Sequence, residues 1–214
     1  MFKVIIKEIF KGKTLIRTLM NLELKKYTLS GRVLDIGGGE NPSYLRFFKK
    51  SSDLQFTGID LKSSAGSSCL DLEKDKLPFA GSSVDQVLLF NILEHIYNHK
   101  FLAAEVCRVL KPSGIVIGFT PFLVNVHPDP HDYFRYTKES LERIFKESGF
   151  SQVEIKGIGR GPFAVSYNTL ICLFPGLVRL VLLPWYWLGD SLLLGLKPKL
   201  KEKFPLGYLF VLKK

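Results

Sequence analysis

The chain has 214 residues, of which 46% are hydrophobic and 23% charged, with a formal net charge of +10. That composition excludes a disordered chain and leaves room for one domain, 1–214, with a substantial core. Three isolated cysteines, Cys69, Cys107 and Cys172, make no C-x-x-C pair, so they point to neither a disulfide framework nor zinc, and no metal site is read from the sequence.

The positive excess sits at the two ends. Residues 1–26 hold seven basic residues against Glu8 and Glu23, and residues 197–214 hold six lysines against Glu202. A nucleic-acid groove would line the fold with basic and stacking side chains, so no nucleic acid is expected as partner. Two readings of the basic ends stand: solvated termini, or contact with an anionic membrane surface.

In chain order, Phe2, Ile5, Ile6, Ile9, Ile16 and Met20 recur at helical spacing. They predict an N-terminal amphipathic helix within 1–27, broken near Gly12, that caps a sheet or lies on a membrane. Lys3, Lys7 and Glu8 interrupt the apolar run, so no signal peptide is expected and the location reads as cytoplasmic, with the inner face of a membrane open. Val33-Leu34-Asp35-Ile36 then predicts a buried strand entering the turn Gly37-Gly38-Gly39. Asn41 and Pro42 suit the N-cap and first position of a helix over 42–50, whose N–H groups would face an anion. Phe56 to Ile59 predicts a strand ending at Asp60, an acid placed to accept hydrogen bonds from a ribose. A short strand at 68–70 ends at Asp71. Strands follow near 84–90 and 114–120, helices near 99–110 and 138–148, and strands at 151–158 and 207–212. The alternation means a parallel sheet with helices on both faces. Three strand ends offering a glycine turn and two acids suit a nucleoside. A dinucleotide fold would want glycine where Pro42 stands, and Asp35 ahead of the turn is placed to reach an ammonium group.

Between the last two strands, 161–203 is an apolar insertion. Pro175-Gly176, Arg179 and Pro184 interrupt it, so two short helices are expected rather than one span. Trp185, Tyr186 and Trp187 beside Lys197, Lys199, Lys201 and Lys203 suit a bilayer interface; a lid over the site or a dimer contact are the alternatives.

These motifs resemble the class I S-adenosylmethionine-dependent methyltransferases, in particular the methyltransferase type 11 group, over roughly 31–153. Asp35 to Gly39 resembles the family's first motif and Gly58-Ile59-Asp60 its ribose-binding motif. Asp71 with Leu77-Pro78-Phe79 resembles the adenine-facing region, and Val84 to His95 and Glu105 to Gly114 its later elements. The resemblance implies an α/β, Rossmann-like, seven-stranded and mostly parallel sheet: a core at 31–158 and a last, antiparallel strand within 205–214. It implies S-adenosyl-L-methionine as cofactor, held by Asp35, Gly37, Gly38, Gly39, Asp60, Leu61, Asp71, Leu72 and Asn91.

Methyl transfer to a hydroxyl also needs a base titrating near neutrality. His95 follows the fourth strand. The loop from Asn125 to Thr137 carries His127, His131, Asp132 and Arg135 together after the fifth. His95, His131 and Arg135 are the candidate catalytic residues, each with a structural alternative. His99 is expected to face solvent, and Glu105 and Arg108 to pair on a helix surface. The loop also resembles that of bacterial methyltransferases of cell-surface glycan assembly, which implies a hydroxyl on a small-molecule, saccharide or lipid-linked acceptor. A catalytically silent membrane-associated binding protein and, more weakly, a dinucleotide-dependent oxidoreductase remain as alternatives.

Overall fold

The computed structural model describes residues 2–38, 42–59 and 70–214. Helices α1 (Phe2–Phe10) and α2 (Leu15–Leu24) meet at Gly12, whose φ of +78° turns the chain between them. Thr14 caps α2, its hydroxyl accepting from the Arg17 N–H. Strands β1 (Thr28–Leu29) and β2 (Arg32–Ile36) follow, then β3 (Lys49–Lys50), β4 (Gln55–Ile59), β5 (Val84–Phe90), α3 (His99–Val109) and β6 (Leu110–Pro121). The chain continues through α4 (Lys138–Glu147), β7 (Gln152–Ile158), α5 (Pro162–Leu170), α6 (Gly176–Leu196), α7 (Leu200–Lys203) and β8 (Gly207–Lys213).

Six described strands form the main sheet in the order β4–β2–β5–β6–β8–β7; β8 runs antiparallel to both β6 and β7, and the other pairings are parallel. Among the described residues the sheet is therefore six-stranded where seven strands were expected. The expected strand at 68–70 falls outside the described residues except for Leu70, which is not in a strand.

Side chains alternate across the pleat and split the core in two. Leu34, Ile36, Val87 and Leu89 face α3 and α4, together with Leu102, Val106 and Phe145. Val33, Leu88, Phe90, Ile117 and Phe119 face α2 through Met20 and Leu24. A third cluster packs Ile5, Ile9 and Leu15 against Ala164, Tyr167, Ile171 and Leu183. The N-terminal segment thus does two jobs: α2 covers the sheet, and α1 packs on the 161–203 insertion.

Two local expectations change. Residues 42–50 form a single 3-10 turn at Leu45–Phe47 rather than a helix, because Lys49 and Lys50 leave to pair with Thr28 and Leu29. Arg179 and Pro184 do not break α6, which runs as one 21-residue helix from Gly176 to Leu196; a 3-10 turn at Ile171–Leu173, Phe174 and Pro175 separate it from α5. Buried Asp190 of α6 accepts hydrogen bonds from the Phe163 and Ala164 N–H groups, capping α5 and locking the two helices together.

Candidate active site

The order of strands reverses between β2 and β5, and ligands of open α/β sheets sit beyond the strand ends at such a point. Gly37 leaves β2 with φ +80°, a conformation that favours glycine. A Cβ on Gly38 would lie 2.1 Å from Asp35 Oδ2 and 2.4 Å from the Tyr44 hydroxyl. Asp35 itself is fully buried and accepts from that hydroxyl at 2.6 Å. Burial pushes its carboxyl up to about 7, against the lowering effect of the Tyr44 bond. Asp35 therefore holds the turn from beneath, with Tyr44 as the partner that sequence reading missed. Asn91 leaves β5 with φ +53°, unusual for a non-glycine residue, its N–H tied to the Phe119 carbonyl at 2.8 Å.

A cavity of about 430 Å³ lies over these turns, lined by Gly37, Gly38, Leu70, Asp71, Asn91, Ile96 and His131 among others. Leu72 closes its floor. Asp71 is half-exposed, and the Glu73 N–H bonded to its carboxylate holds its pKa below the usual range. Glu105 and Arg108 support this wall. Glu105 accepts from the Leu77 N–H, while Arg108 donates to the Leu77 and Phe79 carbonyls and pairs with Glu105 at 2.8 Å. The pair is a clamp on the 77–79 loop, with Glu105 buried, rather than a helix-surface contact. Gly39, Asp60 and Leu61, expected at the same ligand, lie outside the described residues.

A second cavity, of about 470 Å³, adjoins the first and shares Asn91, His95 and Asp129 with it. Its far walls come from distant parts of the chain: Arg17 and Met20 of α2, Val124, Asn125 and His127 of the loop after β6, and Asn168 with Cys172 of the insertion. Asn168 Oδ1 accepts from the Ile16 N–H at 3.1 Å and Asn125 donates to the Thr169 carbonyl at 3.1 Å, so insertion, loop and α2 are tied to one another.

Between the cavities Glu94 is fully buried. Its Oε2 accepts from Thr120 Oγ1 at 3.2 Å. Its Oε1 lies 3.7 Å from His95 Nε2 and 3.8 Å from His127 Nε2, with no hydrogen-bond partner. The carboxylate beside His127 raises the pKa of that imidazole, helped by the Asn125 carbonyl.

The three residues expected to be catalytic separate. His95 lines both cavities. His131 lines the first, stacks on Tyr133, and accepts from His95 Nδ1 through its carbonyl at 2.5 Å. Arg135 lines neither cavity among the described residues. Its guanidinium bonds Asp132 and the carbonyls of Phe134 and Asn125, and it holds the Asp132 carboxyl down at about 2. Arg135 thus secures the loop. His99 packs between Phe134 and Tyr136 rather than facing solvent. Glu94 and His127, outside the three candidate catalytic residues, are the groups that the fold brings beside His95.

Residues 34–118 match the family model described as a methyltransferase domain. A probable S-adenosylmethionine-dependent methyltransferase of Mycobacterium tuberculosis is 28% identical over 93 residues, covering 41% of this chain and 34% of that protein. An uncharacterized methyltransferase of Mycobacterium sp. (strain JLS) is 28% identical over 169 residues, covering 69% of this chain and 66% of that protein. The chain therefore spans between about a third and two thirds of the length of these curated relatives. A SAM dependent methyltransferase from Archaeoglobus fulgidus superposes with a TM-score of 0.57 at 17% identity, covering 92% of this chain and 94% of that one, a likeness of fold. Residues 34–118 are thus similar to a methyltransferase domain, and the fold is like that of a SAM dependent methyltransferase. The Mycobacterium tuberculosis relative is named for S-adenosylmethionine, and the first cavity, with its glycine cradle and acidic rim, has the lining to fit that molecule.

Proposed function

We propose that this chain transfers a methyl group from S-adenosyl-L-methionine to a hydroxyl of a small-molecule, saccharide or lipid-linked acceptor. The observation that carries the reading is the pair of adjoining cavities: one over the glycine turn, one walled by α2, the 122–137 loop and the insertion, meeting at His95. When bound, the cofactor supplies a methyl on a sulfonium that is already a good leaving group. Gly37, Gly38 and Asp71 hold it, with Gly39, Asp60, Leu61, Leu72 and Asn91 completing the set. The second cavity orients the acceptor for in-line attack. Glu94, His95 and His127 converge where the acceptor hydroxyl is activated for loss of its proton. His131 positions His95 through its carbonyl, and Arg135 positions His127 through the loop.

Calorimetric titration of the purified protein with S-adenosylhomocysteine and NAD in parallel tests the reading. Binding of the first at micromolar concentration without the second is expected. NAD binding in its place favours the oxidoreductase. S-adenosylhomocysteine binding without turnover on any hydroxyl acceptor favours the silent binding protein.

The insertion supports a membrane-surface location for the acceptor. Leu177, Val181, Trp185, Leu188, Leu192 and Leu196 are all exposed and recur every three or four residues, so they form one apolar stripe along α6. This helix is long and apolar enough to cross a membrane, yet α1 and α5 cover its other face. Lys197, Lys199, Lys201 and Lys203 follow its end. A stripe with a basic margin suits a helix lying in the interface of an anionic bilayer. Co-sedimentation with anionic vesicles at low salt is the expected outcome, and recovery of all protein in the supernatant overturns it.

A further inference from the structure

Three lone-pair donors converge between the two cavities. His95 Nδ1 lies 2.5 Å from the His131 carbonyl and His127 Nδ1 lies 3.0 Å from the Asn125 carbonyl. A carbonyl only accepts, so each imidazole carries a proton on Nδ1 and, in its neutral form, turns a bare Nε2 inward. Arg135 Nη2 at 3.3 Å and Asp132 Oδ2 at 3.7 Å also approach His127 Nδ1, and the carbonyl is the nearest of the three. Both bare Nε2 atoms aim at Glu94 Oε1, the buried oxygen that lacks a hydrogen-bond partner. The three ligand atoms lie within 4.8 Å of one another. Three acceptors facing each other repel unless a cation sits among them. A proton on one ring would serve one contact only, and both contacts are longer than a hydrogen bond.

We propose that Glu94, His95 and His127 bind a divalent first-row cation of the zinc type, with an open coordination position toward the acceptor cavity. The donor set is two imidazoles and one carboxylate, a combination that suits Zn²⁺ with a position left open for a further oxygen. A cation about 2.1 Å from two atoms 3.7 Å apart subtends roughly 120°, wider than the tetrahedral angle, so small side-chain movements would close the site on the ion. The carbonyls on both Nδ1 atoms and Thr120 on Glu94 Oε2 are the outer partners that orient the ligands. The assignment departs from the sequence reading, which expects no metal, because the three residues come from two loops that only the fold joins.

What the cation does rests on the methyl-transfer reading; that it binds does not. An acceptor hydroxyl on the open position becomes more acidic and releases its proton to solvent. Its oxygen pair forms the C–O bond as the S–C bond breaks, and that bond's electrons stay on sulfur. No oxidant or reductant enters.

Untagged protein stripped with chelator and titrated with Co²⁺ tests the site. A saturable one-to-one visible absorption band, displaced by Zn²⁺, is expected. His127→Gln, on a partly exposed side chain, and the isosteric Glu94→Gln should each weaken Co²⁺ binding at least about a hundredfold while thermal melting shows both folded. Cys172→Ser, which removes a thiol from the wall of the second cavity, should leave the band unchanged. Absence of the band in the wild type, or a band that survives both ligand variants, overturns the proposal. Titration with S-adenosylhomocysteine separates the two readings: its binding without Co²⁺ binding removes the metal site alone, and Co²⁺ binding without it removes the methyltransferase reading alone.

Discussion

The two cavities adjoin yet are built by opposite means. The first cavity is shaped on one side by backbone at the ends of neighbouring strands β2 and β5, through a left-handed glycine, a glycine with no room for a Cβ, and Asn91 at positive φ. The second cavity, proposed above for the acceptor, is walled by side chains drawn from α2, the loop after β6 and the insertion, and held by single ties such as Asn168 to Ile16 and Asn125 to Thr169. A wall made of buried backbone tolerates almost no substitution. One made of side chains on loops and helices can be rebuilt for a new acceptor while the donor half is kept, the usual way in which one scaffold serves many reactions.

The comparison breaks most severely at Gly38. Gly38→Ala forces a Cβ into the Asp35 carboxylate and the Tyr44 hydroxyl. Overpacking of that kind typically costs about 1–3 kcal/mol, so S-adenosylhomocysteine affinity should fall up to about a hundredfold by calorimetry. Unchanged affinity would mean that the first cavity is not the cofactor site.

The opposite behaviour is expected across the cleft. His127 lines the acceptor cavity only, so His127→Gln should lower kcat by about a hundredfold or more while leaving S-adenosylhomocysteine affinity nearly constant. Equal losses in both would erase the division between the walls.

Asp35 sharpens the comparison through pH. Burial raises its carboxyl to about 7 in the folded chain, against about 3.9 in an unfolded one, so the fold binds that proton more tightly. The group's contribution to stability is complete below about pH 4 and is lost as pH rises to about 7. Asp35→Asn, which still accepts from Tyr44, removes that slope. It should gain on the native protein by up to about 1.4 kcal/mol per pH unit between 4 and 7. Urea unfolding of both proteins at pH 4.5 and 7.5 measures it, and parallel stabilities would show that Asp35 is ionised within the fold.

The same contrast explains what could be read beforehand. The donor half is written locally: Asp35, Gly37 and Gly38 are nearly contiguous, and apolar alternation along β2 and β5 places their ends. Tyr44 was hidden because Pro42 suggested a helix, whereas Lys49 and Lys50 pair with Thr28 and Leu29 and stop the helix after one turn. The acceptor half is non-local. His95 stood out as a histidine at a strand end, but its convergence with His127 depends on the loop after β6 folding back so that the Tyr133 N–H reaches the Glu94 carbonyl at 2.8 Å. No spacing rule carries that. Arg135 had the chemistry of a site residue, and only the structure shows its guanidinium directed to Asp132 and two carbonyls.

The smallest expected effect on the fold lies farthest from both walls, on the α6 stripe. Trp185 is 70% exposed, so Trp185→Glu leaves no cavity and buries no charge; its effect on stability should stay within about 0.5 kcal/mol. If the stripe serves only as outer surface, the substitution changes nothing else. If it lies in a bilayer, a carboxylate replaces an aromatic anchor at the headgroup level and faces anionic lipid, so vesicle binding should fall sharply. Turnover on a water-soluble acceptor should be untouched, because Trp185 lines neither cavity. Loss of vesicle binding with turnover retained would separate the surface that brings the enzyme to its acceptor from the wall that holds it. Loss of both together would make α6 part of the acceptor wall itself.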